Sequence, residues 1–275
     1  MASDPRLLRV SIEIRGQLQS YTDLAITATG TKYGNTNQGE CNITIANLRK
    51  DVTDFILTES SPFNRNRTPK RIIVEAGRQS TGYSTVYQGN IFRSSISQPP
   101  DSLLSIRALS LQFQKGTIVA RSVQQPTSLR SIAQRVADDL GIPLDFQADE
   151  KQIASYSYTG SAVKQLDKLA NLGDVDVFTD LDQLFVKNAG QPLARKIRVL
   201  NEDNGLIGVP IFTEAGARLT LLYDNQTAIG GRVDVTNRQY PAIDGQYEIY
   251  KLAFDLSNRD TPFYYTADCR RLPSG

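Results

Sequence analysis

The chain has 275 residues, 40% of them hydrophobic and 22% charged, the profile of a folded protein that buries its own core without covalent staples. Its 31 basic and 29 acidic residues leave a formal charge of +2, too even for a binder whose affinity rests on phosphate neutralisation. There is no histidine, which excludes a Ser-His-Asp triad, an imidazole general base and a His-ligated metal.

The two cysteines, Cys41 and Cys269, stand near opposite ends with no C-x-x-C pair. That argues against a four-ligand zinc site and reads as two reduced core residues. No apolar run approaches the roughly 20 residues that span a bilayer, and the start, Met1 to Val10, lacks a signal-peptide layout. A soluble chain without membrane insertion, made in a cytoplasm, is expected.

In chain order, the first hundred residues read as strands. Leu8, Val10, Ile12 and Ile14 alternate with Arg9, Ser11, Glu13 and Arg15, the period of a half-buried strand. Similar runs follow at 24–30 and 41–46, with the Gly- and Asn-rich stretch 34–39 turning between them. A short helix is expected over 47–57, with Asn47 as N-cap and Leu48, Val52, Phe55 and Ile56 on one face. Three more strands at 71–76, 85–92 and 103–109 make six, enough for a barrel or sandwich.

Near residue 122 the pattern changes. Leu129, Ile132, Ala133, Val136 and Leu140 recur at helical spacing after Ser128 and end at Gly141. A second helix is expected after Gly160-Ser161, carrying Val163, Leu166, Leu169 and Leu172. Short strands at 175–178 and 183–186 then flank an Asp180-Leu181-Asp182 turn. Beyond Pro192 strand patterns return at 197–199, 218–222, 231–235, 247–256 and 262–267. The chain is therefore expected to be mainly β (α+β), with β segments at 1–121 and 191–275 around a small α/β module at 122–190.

No catalytic, cofactor-binding or metal-ligating constellation emerges. The adjacent pairs Asp138-Asp139, Asp149-Glu150 and Glu202-Asp203 read as solvated carboxylates, because a glycosidase needs two acids facing each other across a bond. Phosphate-binding glycine motifs and a nucleophile elbow are missing. The densest basic cluster, Arg65, Arg67, Lys70 and Arg71, is either a solvated loop or a contact with a neighbouring subunit. It has no interleaved aromatics of the kind that stack on nucleic-acid bases.

The order of several segments resembles tail hub proteins of contractile-tailed phages and related injection machines. The carrying pieces are Asn42 to Leu48 before a short helix, Arg71 to Gly77, Val86 to Phe92 and Asp101 to Ala108. Leu140-Gly141-Ile142 is similar to the helix end of that family's α/β insertion. Asn204 to Pro210, Leu219 to Leu222, Gly245 to Leu252 and Thr261 to Thr266 complete the likeness.

The resemblance implies two tail-tube-like β-barrel domains with the inserted two-helix module, and a structural role in a baseplate. It implies self-assembly, a trimer being favoured over a hexamer, between a tail tube protein and the spike, alongside other baseplate proteins. DNA would pass only as cargo, and no cofactor is implied. Because hubs of that family are often longer, a sixfold collar linking tube end to sheath or wedges is the alternative. Two rivals lie outside it: a cell-wall hydrolase, and a peptidoglycan binder using the faintly LysM-like 122–190 module near Tyr156 and Tyr158.

Overall fold

The computed structural model describes residues 4–98, 100–112, 114–195 and 197–273. Its first segment contains β1 (Arg6–Ile14), β2 (Gln17–Tyr21), β3 (Ile26–Tyr33), β4 (Glu40–Ala46), α1 (Lys50–Glu59), β5 (Arg71–Arg78), β6 (Gly82–Ile96) and β7 (Leu103–Leu109). The alternation in β1 has its expected cause: Leu8, Val10, Ile12 and Ile14 are buried in the core. β2 joins β1 through Arg15 and Gly16, both at positive φ (50° and 81°), the backbone of a tight two-residue hairpin turn.

Asn47 does not cap α1 as expected. Its own φ is +55°, its N–H donates to Ser102 O at 2.8 Å, and the helix starts at Lys50 without a side-chain cap. The Asn is spent on turning the chain from β4 into the helix, a left-handed position that Asn tolerates. The buried face of α1 is Val52, Thr53 and Ile56.

The middle segment holds β8 (Ile118–Val123), β9 (Thr127–Ser128), α2 (Leu129–Leu140), β10 (Leu144–Gln147), β11 (Gln152–Ile153), β12 (Tyr156–Ser161), α3 (Gln165–Gly173), β13 (Val175–Asp180) and β14 (Gln183–Asn188). α2 has the predicted ends: Ser128 Oγ accepts from the Ser131 N–H at 3.2 Å, and Gly141 takes a left-handed φ of 68°. The second helix begins later than its expected start after Gly160-Ser161. Tyr156 to Ser161 alternates as a strand and pairs with β8, so α3 opens only at Gln165. β10, β14 and β13 form a three-stranded sheet, with β10 parallel to β14.

The last segment contains β15 (Arg198–Leu200), β16 (Leu206–Thr213), β17 (Gly216–Leu222), β18 (Arg232–Val235), β19 (Gly245–Ser257) and β20 (Phe263–Arg271). The two outer β segments are halves of one 13-stranded sheet, in the order β16-β17-β20-β19-β3-β4-β7-β6-β5-β1-β2, with β18 and β15 attached beside β19. The joint is the antiparallel β3–β19 ladder, which sets Gly30 opposite Phe254. Glycine is required there, since a Cβ on residue 30 would fall 2.3 Å from Phe254 Cζ and 2.4 Å from Glu40 O.

One hydrophobic core draws on both halves, from Leu8 to Cys269, and a second is built mainly by the module, with Leu111 added from just before it. The sheet curls over the first core, so that the Tyr223 hydroxyl, just past β17, donates to Ala76 O of β5 at 2.8 Å. Cys41 and Cys269 are both free and buried, and burial raises both thiol pKa values.

Candidate assembly interface

The β13–β14 hairpin fastens the module to the main sheet. Its turn, Leu181-Asp182, has both residues at positive φ (50° and 56°). Phe178 and Phe185 stack 5.1 Å apart and insert into the main core. Around them stand ion pairs that cross the junction. Lys32 of β3 meets Asp180 at 2.8 Å, and Lys187 of β14 lies 2.6 Å from both Glu248 of β19 and Asp176 of β13. Arg270 of β20 approaches Glu248 at 3.4 Å, and Asp182 accepts from the Gln88 amide. Buried charges need such mutual pairing, because each alone would carry a large desolvation cost.

The basic cluster is divided between internal and free roles. Arg67 donates to the Ile91 and Phe92 carbonyls and stacks 5.8 Å from the Phe92 ring. Lys70 pairs with Glu59 at 3.1 Å. Arg71 reaches Asp182 at 3.5 Å, and its backbone N–H donates to Glu13. Arg65 is exposed and bonds to no described residue. Two residues before it, Phe63 is 91% exposed, in a loop shaped by Ser61 and Asn64 side chains accepting from the Phe63 and Asn66 N–H groups. Arg is among the residues enriched at binding hot spots, and Phe among those enriched at interfaces. The exposed Phe63 is a feature that a reading of charge runs alone does not find.

A second exposed surface is β16, an end strand of the main sheet. Ile207, Val209, Ile211 and Phe212 are all exposed, along with Leu222 on the neighbouring β17. The strand is kinked where Gly208 takes a φ of +66° and Pro210 follows, and its register with β17 breaks between Ile207 and Ile211, the usual guards of a free sheet edge.

The module offers no comparable aromatic platform around Tyr156 and Tyr158. Tyr156 is buried with its hydroxyl 3.2 Å from Gln165 Oε1, and Tyr158 donates to Ser161 O at 2.7 Å. Of the paired acids, Asp139 departs from the solvated expectation: its side chain is 4% exposed and bonded by Arg121 and by Gln165 at 3.0 Å. The Arg121 hydrogen bonds lower its pKa, outweighing the opposing desolvation, with Gln165 adding to them. Among the described residues no group of three His, Cys, Asp or Glu side chains could hold a metal, and no helix is long and apolar enough to cross a membrane.

A curled sheet with exposed apolar and aromatic side chains thus carries a module held on by buried ion pairs. The chain belongs to the baseplate hub gp41 family, whose model matches residues 7–269, and so is a structural component of a phage tail baseplate.

Solved structures share the fold at low identity. The prophage MuSo2 43 kDa tail protein of Shewanella oneidensis is 12% identical with a TM-score of 0.65, covering 98% of this chain and 97% of that one. A tail protein of Neisseria meningitidis MC58 is 11% identical, TM-score 0.65, with 96% of each chain covered. The E. coli c3393 protein, described as a type VI secretion component similar in structure to T4 tail proteins gp27 and gp5, is 11% identical with a TM-score of 0.61. That match covers 95% of this chain and 77% of c3393. No curated protein matches the sequence.

Proposed function

We propose that the chain forms the hub ring of the baseplate, continuing the tail tube and adapting it to the spike, with three copies around the axis. The observation that carries this reading is the β3–β19 ladder, which fuses two β segments of comparable strand number within one chain. Two such segments per chain let three copies present six similar units to a sixfold tube. Residues 1–121 and 191–275 supply those units, and 122–190 rides on them. The fold shared with c3393, described as similar to T4 gp27 and gp5, supports a spike as neighbour. The loop bearing Phe63 and Arg65 is a subunit contact, DNA passes as cargo, and the role is architectural, without catalysis.

A sixfold collar at the tube end is the second reading. It is favoured by the single core running through both segments, which makes the chain one β unit. Symmetry-resolved electron microscopy of purified tails separates the two. Three copies around the axis establish the adapting hub, six establish the collar, and absence from the particle overturns both.

A further inference from the structure

The connector from β14 to β15 runs along the crevice between the module and the main sheet, and it is pinned on both banks. The Leu193 N–H donates to Gly230 O, just before β18, at 2.8 Å, while the Ala194 N–H donates to Gln147 Oε1 of β10 at 2.7 Å. The Arg195 N–H then turns back to Leu193 O at 2.7 Å, closing a three-residue turn. Arg195 is thereby held at the mouth of the crevice on backbone that both banks fix.

The crevice holds a cavity of about 540 Å³, lined by Lys187, Arg195, Arg232, Gln147, Leu193 and Ile197 among others. None of the described residues that line it is acidic. Two of the cations are already matched: Lys187 by Asp176 and Glu248, and Arg232 by both carboxylate oxygens of Asp234. Arg195 is exposed and has no carboxylate partner among the described residues; its guanidinium lies 4.7 Å over the Phe185 ring. Stacking of that kind holds the planar fork in one orientation while leaving its N–H edge open, which suits two-point pairing with a carboxylate.

We propose that this crevice docks an acidic peptide segment of another baseplate protein, with an Asp or Glu on Arg195 and a neighbouring apolar side chain on Ile197. The site is separate from the loop that bears Phe63 and stands for three copies or six. Its charge asks for an acid, and its size is that of a pocket for several linked groups. A single inorganic anion would leave most of the cavity, and the 41% exposed Ile197, in water. Nucleic acid fits poorly, because a phosphate backbone is held by several free cations. A second copy of this chain offers no ready match in its paired acids, since Asp139, Glu150 and Asp203 already meet Arg121, Arg130 and Arg238.

The test puts the photo-cross-linker p-benzoylphenylalanine in place of Ile197 in the full chain and irradiates purified tails. The expected result is an adduct with another baseplate protein, whose cross-linked peptide carries Asp or Glu beside the point of attachment. Adding Arg195→Ala should lower the adduct per incorporated copy about tenfold, the weight of one well-placed interfacial arginine. Arg195→Lys, which keeps the charge and loses the fork, should fall between. An adduct with a second copy, with DNA or with a peptide free of acids overturns the proposal. So does a yield indifferent to Arg195, or the absence of any adduct in tails that contain the chain.

Discussion

The Lys187 ammonium sits 2.6 Å from Glu248 Oε1, and both side chains are only 2% exposed. One residue belongs to the module's hairpin and the other to the long strand that joins the halves of the sheet, so the module is held by charge as well as by Phe178 and Phe185.

Replacing Lys187 with Met removes the buried cation from between Glu248 and Asp176 and leaves both carboxylates to the half-exposed Arg270, 3.4 and 3.9 Å away. The expected loss is about 3 kcal/mol, the lower end for breaking a buried pair, because Glu248 keeps one partner. Glu248→Gln should cost less, because Asp176 remains for Lys187. Urea unfolding of the three proteins gives the ordering, and equal losses would count against the network.

Gly30→Ala places a methyl group against Phe254 and the Glu40 carbonyl at the ladder that joins the two sheet halves. Overpacking of that kind costs about 1–3 kcal/mol. Thermal unfolding should show a clear drop for Gly30→Ala and almost none for Gly116→Ala, whose Cβ would meet nothing within 4 Å.

Asp139 gives a pH dependence of definite sign. Its folded pKa lies below the ordinary 3.8, so its contribution is fully present above that value and is lost as pH falls through the folded pKa. Asp139→Asn should be less stable than wild type near neutrality, and the gap should close in acid. Denaturation midpoints followed from pH 7 down to pH 2 would check this, and a gap that widened in acid would contradict it.

The buried thiols supply a probe of integrity. Burial raises the pKa of both Cys41 and Cys269 and keeps reagents away, so Ellman's reagent should find no reactive thiol in the native chain and two after denaturation. A fast native reaction would mean that the core opens locally.

Arg65→Ala should leave the unfolding midpoint unchanged, since its side chain bonds to no described residue, while Arg67→Ala should cost about 1 kcal/mol through its lost carbonyl bonds. If the loop is a subunit contact, Arg65→Ala and Phe63→Ala lower ring yield without lowering stability. Sedimentation analysis beside a melting curve reads both quantities.

Alternation exposed β1, β4 and β7 in the sequence because one face of each is buried, and the ends of α2 were legible because Ser128 and Gly141 act locally. β2 escaped notice because Gln17 to Ser20 is exposed on both faces and carries no hydrophobic period. The strand β12 was not foreseen between the helices, since its pairing partner β8 lies across α2 in the chain. The basic cluster was visible as charge, but its division into spent and free residues depends on Glu59, Phe92 and Asp182, which the fold brings from elsewhere. The clamp between Lys187 and Glu248 was equally hidden, because two charges distant in sequence announce nothing until the strands that carry them dock.

The pairing of Thr27 with Ser257 and of Tyr33 with Lys251 has a consequence for synthesis on the ribosome. β3 emerges early, yet its partner is made more than two hundred residues later, on the order of 10 to 40 s at bacterial elongation rates. Through that interval the apolar side of β3 and β4 stays uncovered and one edge of β3 stays free to pair with the wrong chain. Neighbouring ribosomes on one message would hold several such edges close together. Production of this protein should therefore be limited by chaperone supply and by temperature during translation more than by the stability of the finished sheet.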